Sequence, residues 1–196
     1  VIRDRITTTS PLEQCLDFPY SLVVFDLDGT LVDSASDIAE AVNRTLADWS
    51  LPRVEEAVIR TWIGDGARAL VGSAFADAGK AIDLDEVMPG FMVHYADCLL
   101  LYPTVYPGVV ETLDALRERG VAVAVCTSKP ERFVRPLLEH LSLGEYFECI
   151  VGGDTLPERK PNAVPLLHVV EHFGLQPAQC LMVGDSATDL ETAAAA

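Results

Sequence analysis

Leu22-Val23-Val24-Phe25-Asp26-Leu27-Asp28-Gly29-Thr30 is a short, continuously apolar run that ends in two aspartates at alternate positions, followed by Gly-Thr. An unbroken β-rich run of this length predicts a strand buried on both faces of a parallel sheet. Three later stretches repeat the pattern. Val121-Ala122-Val123-Ala124-Val125-Cys126 ends in Thr127-Ser128, Cys149-Ile150-Val151 ends in Gly152-Gly153-Asp154, and Cys180-Leu181-Met182-Val183 ends in Gly184-Asp185-Ser186. Between them, Val109, Leu113 and Leu116, then Phe133, Leu137 and Leu138, then Val164, Leu167, Val170 and Phe173 recur at helical spacing. Strand and helix in alternation imply a parallel sheet with right-handed crossovers, and ligands of such sheets sit beyond the carboxyl ends of the strands. The expected class is α/β, a Rossmann-like parallel sheet core flanked by helices.

About ninety residues separate the first strand from the second, far more than a crossover requires, so an inserted domain is expected there. Its pattern is helical throughout. Ile38, Val42, Leu46 and Trp49 form one stripe, Val54, Val58 and Trp62 a second, Leu70, Val71, Ala74 and Phe75 a third, and Val87, Phe91, Tyr95 and Leu99 a fourth. The breaks at Leu51-Pro52, Gly64-Asp65-Gly66, Gly79 and Tyr102-Pro103 are turn chemistry. The division that follows is an N-terminal extension over 1–20, a core over 21–34 and 104–196, and an all-helical insertion over 35–103.

The 196 residues are 49% hydrophobic and 22% charged, a globular balance that sets disorder and a membrane span aside. Thirty acidic against fourteen basic side chains leave a net charge of −16, which repels a phosphate backbone and argues against nucleic-acid binding. The five cysteines are odd in number, scattered and never spaced C-x-x-C, so a disulfide framework and a zinc cluster are not expected. With no basic start and apolar stretch of a secretory signal near the beginning, the cytoplasm is the expected compartment.

Two like charges as close as Asp26 and Asp28 are costly unless a cation or a role in proton transfer accommodates them. Taken alone, they also suit a turn in which aspartates cap backbone N–H groups. Asp185 and Asp189 add two more carboxylates at another strand end, on one face if a helix starts near Ser186. Four aspartates at converging strand ends make an oxygen-rich site suited to Mg²⁺, whereas in isolation Asp185 and Asp189 read as helix capping. Thr127 and Ser128 offer hydroxyl and backbone N–H groups for an oxyanion, and Lys160, between Arg159 and Pro161, offers a point charge for a phosphoryl oxygen.

The segments Asp26-Leu27-Asp28-Gly29-Thr30-Leu31-Val32-Asp33-Ser34, Thr127, Lys160-Pro161 and Gly184-Asp185-Ser186-Ala187-Thr188-Asp189 resemble, in order, the four motifs of the haloacid-dehalogenase-like hydrolase superfamily. Within it the chain is most similar to the phosphoglycolate phosphatase branch, through Thr61-Trp62-Ile63-Gly64-Asp65-Gly66, Tyr106-Pro107-Gly108-Val109, Thr127-Ser128-Lys129-Pro130 and Gly152-Gly153-Asp154. The resemblance implies a Mg²⁺-dependent phosphatase acting on a small phosphorylated metabolite. In it Asp26 is the nucleophile and Asp28 the acid and base that also binds metal through its backbone carbonyl. Asp185 is a direct metal ligand and Asp189 supports the metal from further out. Gly29, Thr127, Ser128 and Lys160 hold the phosphoryl oxygens. The insertion becomes a helical cap with Gly64-Asp65-Gly66 as its substrate-facing loop, and Arg68, Lys129 and Arg132 are candidates for a carboxylate on the substrate.

Asp28 argues against the dehalogenase and phosphonatase branches, which lack an acid there. Ile38 stands where a sugar-phosphate mutase usually has a His, which favours hydrolysis over transfer. Other small-molecule phosphatases and a pyrophosphatase of the same cap type remain as alternatives, and a binding protein without turnover is the competing class. Relatives continue past the fourth motif's helix into another strand and helix, so the fourth strand is expected at a sheet edge.

Overall fold

A computed structural model describes residues 18–196; the extension expected over 1–20 lies outside the described residues up to position 17, as does Cys15. In chain order the elements are β1 (Leu22–Phe25), β2 (Val32–Asp33), α1 (Ala35–Asp48), α2 (Glu56–Arg60), α3 (Ala67–Asp77), α4 (Leu84–Cys98) and β3 (Thr104–Val105). They continue with α5 (Val109–Glu118), β4 (Ala122–Cys126), α6 (Glu131–His140), β5 (Cys149–Val151), α7 (Val164–His172), β6 (Cys180–Val183) and α8 (Ala187–Ala195).

Four parallel strands form one sheet in the order β5-β4-β1-β6, with Val24 of β1 lying between Ala124 and Met182. Strand geometry sends alternate side chains to opposite faces, so the apolar run of β1 serves two cores. Val23 and Phe25 pack with Leu113 of α5 and Val134 and Leu137 of α6, while Leu22 and Val24 pack with Leu166, Val169 and Val170 of α7. Among the described residues, no strand pairs with the far side of β6.

The helical insertion joins the sheet through two linkers that pair with each other. Val32 and Asp33 of β2 lie antiparallel to Val105 and Thr104 of β3, a ribbon the hydrophobic pattern does not announce because each strand is two residues long. Asp37, buried in the first turn of α1, accepts from the Tyr102 amide at 2.9 Å and so ties the returning linker to the outgoing one. Ile38, Val42 and Leu46 of α1 share a core with Val87, Phe91 and Tyr95 of α4, and Trp49 stands edge-on to Phe75 with ring centroids 5.7 Å apart.

Two helical stripes differ in phase from the sequence reading. In α7 the buried residues are Pro165, Leu166, Val169 and Val170, while Val164 and Leu167 are exposed. This helix is apolar on several sides, so spacing alone does not select the inward face. In α2 the buried residue is Ile59 and Val58 is exposed, because the helix is only five residues long and turns its 59 face to the insertion core. Truncating Ile59 to Ala is therefore expected to cost about 2–5 kcal/mol, and truncating Val58 to Ala within about 0.5 kcal/mol of nothing. Urea denaturation of the two variants checks the assignment, and equal losses would contradict it.

Candidate functional site

The carboxyl ends of β1 and β6 converge on one acidic cluster, and that of β4 brings Thr127 to the cavity beside it. Asp26, Asp185 and Asp189 each place a carboxylate oxygen within 4.8 Å of the others, the first and last buried and the second exposed. Lys160 Nζ, itself buried, donates to Asp26 Oδ1 at 3.0 Å and to Asp189 Oδ1 at 2.5 Å. Desolvation is the largest influence on Asp26: burial pushes its carboxyl up to about 6 even against the charge of Lys160. Burial alone would lower the Lys160 pKa, but the Asp26 and Asp189 charges outweigh it and hold the ammonium above the usual lysine value.

Each position follows from local structure. Asp189 is the third residue of α8, and with Ser186 it forms a capping box: its Oδ2 accepts from the Ser186 amide at 3.0 Å and from Ser186 Oγ at 2.6 Å. Both of its oxygens are thus engaged by protein donors, which makes Asp189 a fixed anchor for Lys160. Asp185 precedes the helix and accepts from Thr30 Oγ1 at 3.0 Å. Gly29, at φ 90°, lies so close to Asp185 that a Cβ there would run into the carboxylate, so the turn after β1 admits no side chain.

Asp28 points elsewhere. Its carboxylate accepts from Ser34 Oγ at 2.5 Å and from Lys129 Nζ at 3.0 and 3.2 Å, and Lys129 also donates to the Tyr95 hydroxyl. The Lys129 side chain is 0% exposed, and its ammonium lies 4.7 Å from the Tyr95 ring centroid. Burial would depress its pKa, but Asp28 and Tyr95 more than reverse that, so the group stays charged. The loop carrying it is braced by the end of β5. Gly153 N donates to Lys129 O at 2.8 Å and Asp154 accepts from the Glu131 amide at 2.7 Å, while a Cβ on Gly153 would strike Ser128. That contact is the physical content of the Gly152-Gly153-Asp154 motif.

The insertion reaches the same place. Asp65 Oδ1 accepts from Thr188 Oγ1 of α8 at 2.6 Å, and Gly64 and Gly66 approach Ser186 and Ser128. Under this loop lies a cavity of about 40 Å³ lined by Asp26, Asp28, Thr127, Ser128, Lys129 and Tyr95 together with apolar side chains.

The structure therefore gathers Asp26, Asp185, Asp189 and Lys160, and places Asp28, Thr127, Ser128, Lys129, Gly64 and Gly66 around the adjoining cavity. It leaves out two of the proposed carboxylate readers. Arg68 is exposed and pairs with Asp85 at 2.8 Å, because its place in the first turn of α3 turns it away from the loop, and exposed Arg132 stacks over the Phe133 ring. The Asp28 side chain is likewise absent from the carboxylate cluster. Sequence reasoning missed Tyr95, which sits in an apolar helical stripe and reads as core. A buried tyrosine hydroxyl, however, needs a partner, and that requirement was the available signal. It also missed Ser34 and the Asp65–Thr188 contact, which join residues whose proximity only the fold creates.

A family model described as haloacid dehalogenase-like hydrolase matches residues 23–196. The chain is 46% identical over 180 residues to a phosphoglycolate phosphatase of Pseudomonas putida KT2440, covering 89% of this chain and 66% of that protein, just under two thirds of its length. It is 45% identical over 181 residues to a phosphoglycolate phosphatase of Rhodospirillum rubrum, covering 89% and 75%. Among solved structures it resembles one described as a predicted phosphoglycolate phosphatase of Haemophilus somnus 129pt, with TM-score 0.83 and 39% identity over 91% of this chain and 82% of that one.

Removing Lys160 should leave two buried carboxylates without their counter-charge. Lys160→Met is expected to lose roughly 3–5 kcal/mol of stability in metal-free buffer. Urea unfolding with a chelator present measures it, and a loss below about 1 kcal/mol would show that the cluster does not depend on this cation.

Proposed function

This chain belongs to the haloacid dehalogenase-like hydrolase family, and from that premise we propose that it is a Mg²⁺-dependent phosphatase that cleaves a small phosphate monoester, 2-phosphoglycolate, to glycolate and phosphate. The observation that carries this reading is the meeting of Asp26, Asp185 and Asp189 within 4.8 Å beside Lys160, with Asp28 two residues on turned to Lys129 and the adjoining cavity.

The donor set fits a hard divalent cation: carboxylate oxygens, no cysteine or histidine among them, and a turn at Gly29 kept free of any side chain next to Asp185. Asp26 and Asp185 would hold it, with the backbone carbonyl of Asp28, and Asp189 would steady the site through Lys160 and Ser186. Bound there, the cation supplies positive charge that lets a carboxylate approach a phosphate dianion.

The residues divide the reaction between them. Asp26 attacks phosphorus; an aspartyl oxygen–phosphorus bond forms as the bond from phosphorus to the alcohol oxygen breaks. Asp28, entering the cycle protonated, gives its proton to that departing oxygen. A water then attacks the aspartyl-phosphate, Asp28 takes the water's proton, and phosphate leaves with the Asp26 carboxylate restored. Thr127, Ser128, Lys160 and the Gly29 amide hold the phosphoryl oxygens. The closed loop at Gly64-Asp65-Gly66 excludes water from the intermediate.

The cavity of about 40 Å³ has room for only a few water-sized groups, which supports a leaving group of a few heavy atoms. Ile38 on its wall offers no proton-transfer group for a second hydroxyl, which supports hydrolysis over phosphoryl transfer between sugar positions. Cys98, Cys126, Cys149 and Cys180 are free thiols, which fits the reducing cytoplasm.

Hydrolysis of 2-phosphoglycolate and of p-nitrophenyl phosphate should require Mg²⁺ and fall at least about 10³-fold in Asp26→Asn. Metal-independent release of phosphate, or a fully active variant, would contradict the reading. The position of Asp26 adds a pH dependence. Because its carboxyl is pushed up to about 6 in the metal-free protein, a cation must displace a proton below that pH and none above it. Calorimetric titration should show Mg²⁺ affinity falling about tenfold per pH unit below pH 6 and levelling off above; a constant affinity between pH 5 and 7 would contradict it.

A further inference from the structure

The cavity beneath the insertion is walled mainly by Ile38, Ile63, Ala67, Leu70 and Pro130, and among the described residues that line it Lys129 is the one cation. Arg68 and Arg132 lie on the outer surface, and Lys160 is committed to Asp26 and Asp189. A fully buried ammonium in an apolar wall is expensive unless it serves an anion there. Asp28 supplies one such partner, but it does so with redundancy: Lys129 lies within hydrogen-bond distance of both oxygens of that single carboxylate, at 3.0 and 3.2 Å. One N–H can turn to a second anion while another keeps Asp28 paired and the third keeps the Tyr95 hydroxyl.

The second anion has a natural origin. Asp28 sits where the alcohol oxygen departs, so Lys129, in contact with Asp28, is next to the carbon that follows that oxygen. Resting on the phosphatase reading above, we infer that Lys129 is the specificity-determining residue of this site: it selects phosphate esters whose leaving alcohol carries a carboxylate on the adjacent carbon. The Tyr95 hydroxyl and ring fix the ammonium in place from the inserted helix α4, so the charge is set only when the insertion is seated over the sheet.

The test compares 2-phosphoglycolate with 2-hydroxyethyl phosphate, an ester of nearly the same size whose leaving group is neutral. Wild-type protein should prefer the carboxylated ester in kcat/KM by about 10- to 100-fold, the scale of a buried hydrogen bond to a charged group. Lys129→Met should bring that ratio close to one, whatever loss the two substrates share through Asp28. Lys129→Gln, which keeps a hydrogen-bond donor but removes the charge, should lower the preference several-fold, and its ratio decides the matter if the Met variant does not fold by circular dichroism. A ratio equal to that of wild type in Lys129→Met, or in Lys129→Gln where only that variant folds, overturns the proposal. Wild-type protein that cleaves p-nitrophenyl phosphate yet shows no preference for the carboxylated ester overturns the proposal and leaves the phosphatase reading standing. Protein that cleaves none of the three esters sinks both.

Discussion

One lysine ammonium between two buried carboxylates is the constraint around which the sheet end is arranged. Three carboxylates meet where β1 and β6 stop, and the two that are buried, Asp26 and Asp189, would suffer heavily from repulsion and lost hydration without Lys160 between them. The surrounding structure then serves that placement. The capping box of α8 holds one oxygen of Asp189 and leaves the other to Lys160, Gly29 leaves space beside Asp185, and the buried apolar strand β1 holds Asp26 at the edge of the core.

The two aspartates that follow β1 would share a side in an extended chain, but the chain bends at Leu27, so they point to different sides and each meets its own buried lysine. Asp26 faces Lys160 and the other carboxylates. Asp28 faces Lys129, Ser34 and, through Lys129, the Tyr95 hydroxyl of the inserted helix. On the phosphatase reading proposed above, this division separates a site for charge on the transferring phosphoryl group from a site for proton movement at the leaving oxygen. The insertion contributes to the second directly, through Tyr95 of α4, and reaches the first only through the loop that lies against Ser186 and Thr188. The Asp65–Thr188 hydrogen bond brings the same insertion down onto α8, so closure over the cavity and the order of the acidic cluster share one helix.

Much of this is legible in the sequence because it rests on short-range chemistry. The run Leu22–Phe25 can only be a buried strand, and the polar residues ending each of four such runs mark one edge of the sheet. The phase of α7 is not legible, since apolar residues at 164, 166, 167, 169 and 170 suit more than one inward face, and the sheet chooses among them. Nor is the two-residue ribbon of β2 and β3, too short to carry a period. At the site, residue types announced the acidic cluster, but partners set by tertiary approach stayed hidden. Arg68, the first candidate in the sequence for its place beside the loop, faces outward, while Lys129, one of its two core-side competitors, is the one the fold buries against Asp28.

The account stands on Asp26 taking the phosphoryl group onto its own carboxylate. Quenching the protein in mid-turnover with borohydride, which reduces an acyl phosphate to the alcohol, and sequencing the peptides by mass spectrometry tests this directly. The account predicts homoserine in place of aspartate at position 26 and at no other position. Steady turnover with unmodified Asp26, or reduction at a different carboxylate, would contradict it.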